Sequence, residues 1–307
     1  MSVVAVSPAR PVSQSWVQRA SACVELARPR IALLVLVVVA LSGLVAAWGV
    51  GDPWAVIHAV VGTLLVAGSA SALNQVVEHQ TDAQMTRTSD RPIPSGRLSR
   101  RSAMVVGIAA AAVGFVYLGT FAGWQPMVWS ALSWLIYVAA YTPLKARSPL
   151  NTLVGAVSGA LPVWIGWTAV VPSARPWEEL RPLALFLVVF LWQFPHFMAI
   201  AWIYRKQYAA AGLSMLSVVD PSGRQAGLQA VLAAAWLIPI SLLLALGAPA
   251  TGGQWYAAAA LLLGVVQLGC AGWFFHSSSD RAARALLRCS LVYLPVLLMF
   301  LIWIPWI

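Results

Sequence analysis

The sequence predicts an all-α, polytopic membrane protein in which nine transmembrane helices are bundled around a central cavity. Of its 307 residues, 61% are hydrophobic and only 9% are charged, whereas about a quarter of the residues in a soluble domain carry charge. The mean hydropathy of +0.81 indicates the same class. Apolar runs of about 20 residues, the length that crosses a bilayer as a helix, lie at 31–50, 55–79, 102–121, 125–144, 151–171, 183–204, 226–248, 254–275 and 286–306.

The positions of lysine and arginine support nine spans, because these residues collect in the cytoplasmic segments of membrane proteins. If the N-terminus is cytoplasmic, every Lys and Arg except Arg175 and Arg181 falls on the cytoplasmic side, and the C-terminal Ile307 lies outside. The net charge of +10 then follows from membrane topology. The lipid bilayer is therefore the expected partner, and nucleic acid is not.

The chain is expected to form a single nine-helix membrane domain, residues 31–307, preceded by a cytoplasmic N-terminal tail of residues 1–30. The tail contains four arginines and several serines, a composition that is also compatible with a mitochondrial transit peptide. We favour a plain tail and the inner (plasma) membrane of a bacterium, because no small-residue cleavage pattern precedes the first span.

The end of the second span carries polar residues at helical spacing. Asn74, Glu78 and Asp82 recur every four residues, so on a helix each is rotated by only about 40° from the one before and all three share one broad face. Amide and carboxylate oxygens are the ligands that Mg²⁺ prefers. The spacing therefore predicts a site for one divalent cation, although Glu78 and Asp82 are also compatible with the simple end of a membrane span.

Basic residues follow this face directly and favour a diphosphate ligand. Arg87 and Arg91 lie in the next loop, and Lys145 lies at the end of the fourth span. Guanidinium groups offer forked donors to phosphate oxygens and stabilise a diphosphate as it departs with growing charge. The same residues also obey the topology rule, so both interpretations remain open at this point.

Two further groups of residues bear on the cavity. His196 lies inside the sixth span, where a polar ring needs a partner that faces inward; it is expected either to contact a ligand or to bond a neighbouring helix. Asn151, at the inner mouth of the fifth span, could touch phosphate. Gly155, Gly159 and Gly166 give that span a small-residue face, which favours close helix packing.

Four segments together carry a family resemblance. The first motif contains Asn74, Glu78, Asp82, Met85, Arg87, Thr88, Arg91, Pro92, Ile93 and Gly96. The other three contain Tyr141, Thr142, Leu144, Lys145, Pro149, Asn151, Gly155, Gly159, Pro162, Gly166 and Trp167; then Phe190, Leu191, Trp192, Pro195, His196 and Phe197; then Tyr208, Ala211, Gly212, Met215 and Leu216. With these motifs, which cover most of residues 26–219, the chain resembles the UbiA superfamily of intramembrane prenyltransferases, and within it the protoheme IX farnesyltransferase group.

The resemblance implies a reaction and a set of site residues. It implies that farnesyl diphosphate ionises with Mg²⁺ as cofactor, that a vinyl group of haem B captures the farnesyl cation, and that water completes the product, haem O. The implied metal ligands are Asn74, Glu78 and Asp82. The implied catalytic residues are Asn74, Glu78, Asp82, Arg87, Arg91 and Lys145, and those on the haem side are His196, Trp192, Asn151 and Tyr208. Haem A synthase or terminal oxidase assembly factors are implied as further partners.

The chain departs from the family pattern at two positions, and two other functions remain open. Glu78 stands where the pattern has aspartate, and Gln207 precedes Tyr208 where relatives usually carry aspartate. One alternative is a related prenyltransferase that uses another aromatic or tetrapyrrole acceptor. The other is a catalytically silent haem-binding or assembly protein with the same fold.

Overall fold

The computed structural model describes residues 16–46, 51–171, 175–246 and 250–304, and within these ranges all regular secondary structure is helical. The helices are α1 (Trp16–Leu26), α2 (Pro29–Ala46), α3 (Pro53–Ala83), α4 (Arg100–Ala122), α5 (Trp124–Leu144), α6 (Asn151–Val170), α7 (Leu180–Ile203), α8 (Arg205–Ala210), α9 (Leu216–Val219), α10 (Arg224–Leu243), α11 (Ala250–Ser277) and α12 (Asp280–Trp303).

The predicted all-α membrane architecture is confirmed. In the described part of the chain, eight helices are long and apolar enough to cross a membrane. A ninth span arises if the last turns of α1 and helix α2 count as one element across their bend of 59°. At their described ends the long helices agree with the predicted spans to within about one turn, except that α12 begins six residues before its predicted start at 286; α3 runs four residues past its predicted end at 79. The predicted span ends at 50, 248 and 306 lie outside the described residues.

The long helices α5 and α6 depart from regular α geometry. The end of α5 is π-helical over Ile136–Tyr141, and π-helical turns often mark functional sites. Helix α6 breaks at Leu161, because Pro162 provides no backbone N–H and begins a new helical segment. The π-helical turn directly precedes Thr142 and Lys145 at the end of α5.

The helices pack as two groups joined by α2 and α6. Helix α3 packs against α4 and α5, whereas α7 packs against α10 and α12, and α2 contacts members of both groups. The small-residue face predicted for α6 makes three of these contacts: Gly166 lies against the backbone of Val39 in α2, Gly159 against the Gln193 side chain in α7, and Gly155 against the ring of Tyr141. A larger residue at Gly166 would meet the backbone of α2 and force the two helices apart, whereas at Gly159 or Gly155 it would displace a side chain.

The N-terminal tail contains a helix that the sequence pattern did not indicate. Helix α1 ends at Leu26, which is buried, and its carbonyl accepts a hydrogen bond from Gln75 Nε2 in α3 at 2.9 Å. Glu25 accepts an ion pair from Arg97 at 2.7 Å. Residues 16–26 are therefore docked onto the membrane domain, while residues 1–15 lie outside the described part of the chain.

Candidate functional site

The C-terminal end of α3 presents Asn74, Glu78 and Asp82, which we call the polar face of α3. Helix α3 runs unbroken over 31 residues. Asp52 caps its start and Pro53 occupies its first turn. Asn74 is fully buried and Asp82 is 1% exposed. Burial of this kind requires partners for each group, and the structure provides a different one for each.

Asn74 bonds the end of α5. Its Nδ2 donates to Thr142 Oγ1 at 3.0 Å, and that hydroxyl donates in turn to the Tyr137 carbonyl at 2.8 Å. This arrangement uses the amide nitrogen and directs the amide oxygen elsewhere. Asn74 Oδ1 is enclosed and has no hydrogen-bond partner among the described residues, so it remains available as a ligand for a cation.

Glu78 forms an ion pair with Lys145, one turn further along both helices. Lys145 Nζ lies 2.8 Å from Glu78 Oε1, and both side chains are largely buried. The ammonium also lies 4.5 Å from the centre of the Tyr141 ring. Burial opposes the charge of Lys145, but the nearby Glu78 carboxylate and the Tyr141 ring outweigh it and hold the pKa of Lys145 above its ordinary value.

Asp82 is held by the loop that follows α3, residues 84–99, which we call the first polar loop. Arg91 Nη1 donates to both carboxylate oxygens of Asp82, at 2.7 and 2.6 Å. The loop is fixed by Thr88, whose hydroxyl donates to the Asp82 carbonyl at 2.8 Å. Each carboxylate of the polar face is thus neutralised by one cation.

Arg87 connects the first polar loop to residues 204–223, which contain α8 and α9 and which we call the second polar loop. Arg87 Nη2 donates to the Tyr208 hydroxyl at 3.2 Å, and its guanidinium carbon lies 4.5 Å from the centre of the Tyr204 ring. Its backbone N–H donates to Gln207 Oε1 at 3.4 Å. Tyr208, predicted on the haem side, is therefore also in contact with a predicted phosphate-binding residue.

Asn151 lies next to these loops, and its polar atoms are used within the protein. Its Nδ2 donates to the carbonyls of Ser148 at 2.7 Å and Ser214 at 3.3 Å, and Thr152 donates to its Oδ1 at 3.3 Å. The Asn151 amide therefore links the end of the fourth span to the second polar loop. Because its donors are used in this way, its role in the structure is to position neighbouring groups.

Trp192 and His196 lie together on α7, where they pack against α12. Trp192 Nε1 donates to the Ser290 carbonyl at 2.7 Å, and the two rings stack 4.9 Å apart. His196 Nδ1 lies 3.0 Å from Ser290 Oγ, which donates its own proton to the Leu287 carbonyl at 2.7 Å. The shared proton is therefore assigned to Nδ1, which leaves Nε2 with a free lone pair.

The structure thus brings most predicted residues into one region and leaves two apart. Asn74, Glu78, Asp82, Arg91 and Lys145 converge on α3, while Trp192 and His196 have their described partners on α12. Sequence reasoning missed the roles of Thr142, Tyr204 and Ser290. Thr142 lies three residues before Lys145, the spacing of a shared helix face, and this signal identifies it; the other two have no comparable signal.

The donor set of the polar face fits Mg²⁺. Two carboxylates and an unpaired amide oxygen are hard oxygen ligands, and Mg²⁺ is commonly held by one or two carboxylates together with substrate phosphates. Within the described ranges, no group of three or more His, Cys, Asp and Glu side chains forms a metal cage of its own. A metal held by Asn74, Glu78 and Asp82 would complete its coordination with phosphate or water oxygens, and its binding would displace Lys145 and Arg91 from the carboxylates.

The chain is similar in sequence and in fold to known proteins. The chain matches the UbiA prenyltransferase family over residues 34–303. It is 41% identical to the protoheme IX farnesyltransferase of Rhodopirellula baltica, over 90% of this chain and 97% of that protein. It is 38% identical to the protoheme IX farnesyltransferase of Koribacter versatilis, over 89% of each. Its fold is similar to that of a UbiA homolog from Archaeoglobus fulgidus bound to DMAPP and Mg²⁺, with a TM-score of 0.67, 13% identity, and coverage of 89% of this chain and 99% of that one.

Proposed function

The chain belongs to the UbiA prenyltransferase family, and we propose that it transfers a farnesyl group from farnesyl diphosphate to a vinyl group of protoheme IX (haem B), giving haem O. The observation that carries this proposal is the polar face of α3, together with the basic side chains that pair with its carboxylates. Two curated relatives of this activity align with about nine tenths of the chain, which supports haem B as the acceptor.

The first step breaks the bond between the farnesyl C1 carbon and the diphosphate oxygen, and both electrons leave with the diphosphate. Arg87, Arg91 and Lys145 donate to the departing oxygens and stabilise their growing charge. Mg²⁺ held by Asn74, Glu78 and Asp82 would neutralise part of that charge and weaken the bond. Without substrate, the two carboxylates form ion pairs with two of these basic side chains. When the substrate binds, the same side chains would exchange those ion pairs for contacts with the metal and the diphosphate.

The second step joins the two substrates. The vinyl group of haem attacks the allylic cation through its terminal carbon, and the positive charge moves to the vinyl carbon beside the porphyrin ring. A water molecule adds there and loses one proton, which leaves a hydroxyethylfarnesyl chain. The apolar helices keep water from the cation until the carbon–carbon bond has formed.

The haem side is assigned to Trp192, His196, Asn151 and Tyr208. His196 Nε2 has the lone pair needed to accept a proton from the attacking water or to contact iron. Trp192 offers a flat apolar surface stacked on that histidine. Asn151 and Tyr208 join the loops beside the polar face, where they would hold the haem edge close to the farnesyl carbon.

The protein is further proposed to lie in a bacterial inner membrane with its N-terminus in the cytoplasm and its C-terminus outside. The bias of Lys and Arg supports this orientation. Residues 31–307 would act as one prenyltransferase domain. The product would pass to haem A synthase or to proteins that assemble terminal oxidases.

The test incubates the purified protein in detergent with haem B, farnesyl diphosphate and Mg²⁺, and detects haem carrying an added hydroxyethylfarnesyl group by mass spectrometry. Product is expected with the wild type and is expected to be lost in Asp82→Ala. If labelled farnesyl is transferred only to a different aromatic or tetrapyrrole compound, that compound and not haem B is the acceptor. Haem binding without diphosphate release with any acceptor would overturn the enzymatic function.

A further inference from the structure

Arg28 has an unusual backbone conformation at the junction of α1 and α2. Its φ is 48°, a value that costs a non-glycine residue roughly 1 kcal/mol. The following residue, Pro29, disfavours the ordinary helical conformation at this position. The Arg28 carbonyl accepts the N–H groups of Ile31 and Ala32, at 2.9 and 3.1 Å, and so begins α2. Glycine would satisfy the same backbone with less strain, so the arginine side chain itself needs an explanation.

The surroundings of Arg28 place it beside the polar face of α3. Leu26 and Ile93 belong to one apolar cluster with Val76, which lies between Asn74 and Glu78 on α3. Arg28 follows Leu26 by two residues, just as Arg91 precedes Ile93 by two. The Leu26 carbonyl also accepts a hydrogen bond from Gln75 Nε2 at 2.9 Å, so the chain segment that leads to Arg28 is fixed beside the start of the polar face. Burial lowers the pKa of Arg91, and the charge of Arg28 is the next largest contribution to that shift.

Among the residues that the structure describes, the guanidinium group of Arg28 has no anionic partner. Its Nε and Nη2 atoms are enclosed and have no hydrogen-bond partner among the described residues. Arg28 as a whole is half-buried, but enclosed donor atoms of a cation are costly to leave without a partner, and protein structures generally provide a counter-charge for them. These two nitrogen atoms are therefore suited to bind an anionic ligand.

The charge balance around the polar face of α3 also favours an anionic ligand. Lys145 is paired with Glu78, and Arg91 with Asp82. Arg28 and Arg87 form no ion pair in the described part of the chain, so the cluster carries two positive charges in excess. Lys145 and Arg91 must leave their carboxylates before these can bind a metal, whereas Arg28 has no such pair to break.

We propose that Arg28 is a further diphosphate-binding residue, whose unpaired guanidinium nitrogens donate to phosphate oxygens of the prenyl diphosphate. The inference rests on the proposed function, in that it takes a prenyl diphosphate as the anion. It assigns to the α1–α2 junction a direct part in the site. A phosphate ligand in this position also links the docking of α1 to occupation of the polar face.

The test compares Arg28→Gly with Arg28→Lys. Glycine removes the side chain and relieves the positive φ, so this variant is expected to fold at least as well as the wild type. Arg101→Gln is the matched control, because it removes one charge from an exposed side chain at the start of α4. Two quantities are measured: the Kd for inorganic pyrophosphate with Mg²⁺, and the KM values for farnesyl diphosphate and haem B.

Arg28→Gly is expected to weaken pyrophosphate binding and raise the KM for farnesyl diphosphate by about ten- to a hundredfold, the loss expected for charged hydrogen bonds. Arg28→Lys is expected to recover part of the loss, while Arg101→Gln and the KM for haem B stay within twofold. Unchanged pyrophosphate binding in Arg28→Gly, with turnover intact in the wild type, would overturn the role of Arg28 and leave the proposed function standing. Pyrophosphate binding that depends on Arg28 in a protein that makes no haem product would overturn the proposed function and leave this site standing.

Discussion

The two polar loops differ in what their charges bind. In the first polar loop, Arg91 holds the Asp82 carboxylate, and Arg87 has no carboxylate partner among the described residues. In the second polar loop, Arg205 pairs with Asp280 at 2.7 Å and lies over the Trp202 ring. The first loop therefore brings charge to the polar face of α3, whereas the second uses its charge to fix its own position.

The single carboxylate of the second loop illustrates this difference. Asp220 accepts hydrogen bonds from the Ser222 hydroxyl and from the backbone N–H groups of Ser222 and Gln225. These bonds hold the pKa of Asp220 below its ordinary value and fasten the start of α10. A carboxylate used in this way is poorly suited to bind a second metal.

The two loops meet at Arg87. Tyr204 and Tyr208 of the second loop place its guanidinium group, through ring contact and a hydrogen bond. The second loop thus contributes aromatic and neutral groups that aim a cation of the first loop. This division of roles gives four predictions.

The largest effect is expected for Asp82→Asn, which keeps the shape of the side chain and removes its charge. The variant is expected to lose at least about a hundredfold in kcat/KM, comparable to the removal of one electrostatic group that acts at the transition state. Rates of haem product formation measure the loss. Activity within threefold of the wild type would show that the Asp82 carboxylate is not needed to hold the metal diphosphate.

A strong effect is also expected for Lys145→Met, because it leaves the Glu78 carboxylate buried without a counter-charge. Removing one partner of a buried pair costs about 3 kcal/mol, so the melting temperature without metal is expected to fall. Mg²⁺ is expected to raise the melting temperature more in this variant than in the wild type, since Lys145 no longer competes for Glu78. An equal rise of the melting temperature with Mg²⁺ in both proteins would show that Glu78 does not bind the metal.

A smaller effect is expected for Tyr208→Phe, which removes only the hydroxyl that accepts from Arg87. The loss of one hydrogen bond corresponds to roughly a three- to tenfold change, and it is expected in the KM for farnesyl diphosphate. Steady-state kinetics with each substrate varied in turn makes the measurement. A change confined to the KM for haem B would place Tyr208 on the haem side alone.

The smallest effect on activity is expected for Asp220→Asn. Its kcat/KM should stay within twofold of the wild type, while stability falls by about 1 kcal/mol through loss of the charged cap. Because the folded pKa of Asp220 is lowered, its contribution is present above about pH 4 and is lost as the pH falls through the folded value. Melting curves at pH 7 and pH 3 should therefore differ less in the variant; a large loss of activity would make Asp220 a ligand.

Much of the fold was predictable, because membrane spans follow from length and apolarity alone. Helix α1 was not, since its position depends on contacts made by Gln75 and Arg97 with distant segments. The polar face of α3 was predictable from four-residue spacing. The pairing of each carboxylate with its own cation was not, because the partners Lys145 and Arg91 come from a different helix and from a loop without regular structure. Thus spacing indicates which residues share a surface, and tertiary contacts decide what each one binds.

The most direct test of the account counts Mn²⁺ ions bound with inorganic pyrophosphate, by electron paramagnetic resonance, in the wild type, Asp82→Asn and Asp220→Asn. We expect pyrophosphate-dependent Mn²⁺ binding in the wild type, its loss in Asp82→Asn, and full retention in Asp220→Asn. Retention in Asp82→Asn together with loss in Asp220→Asn would place the metal in the second polar loop and contradict the account.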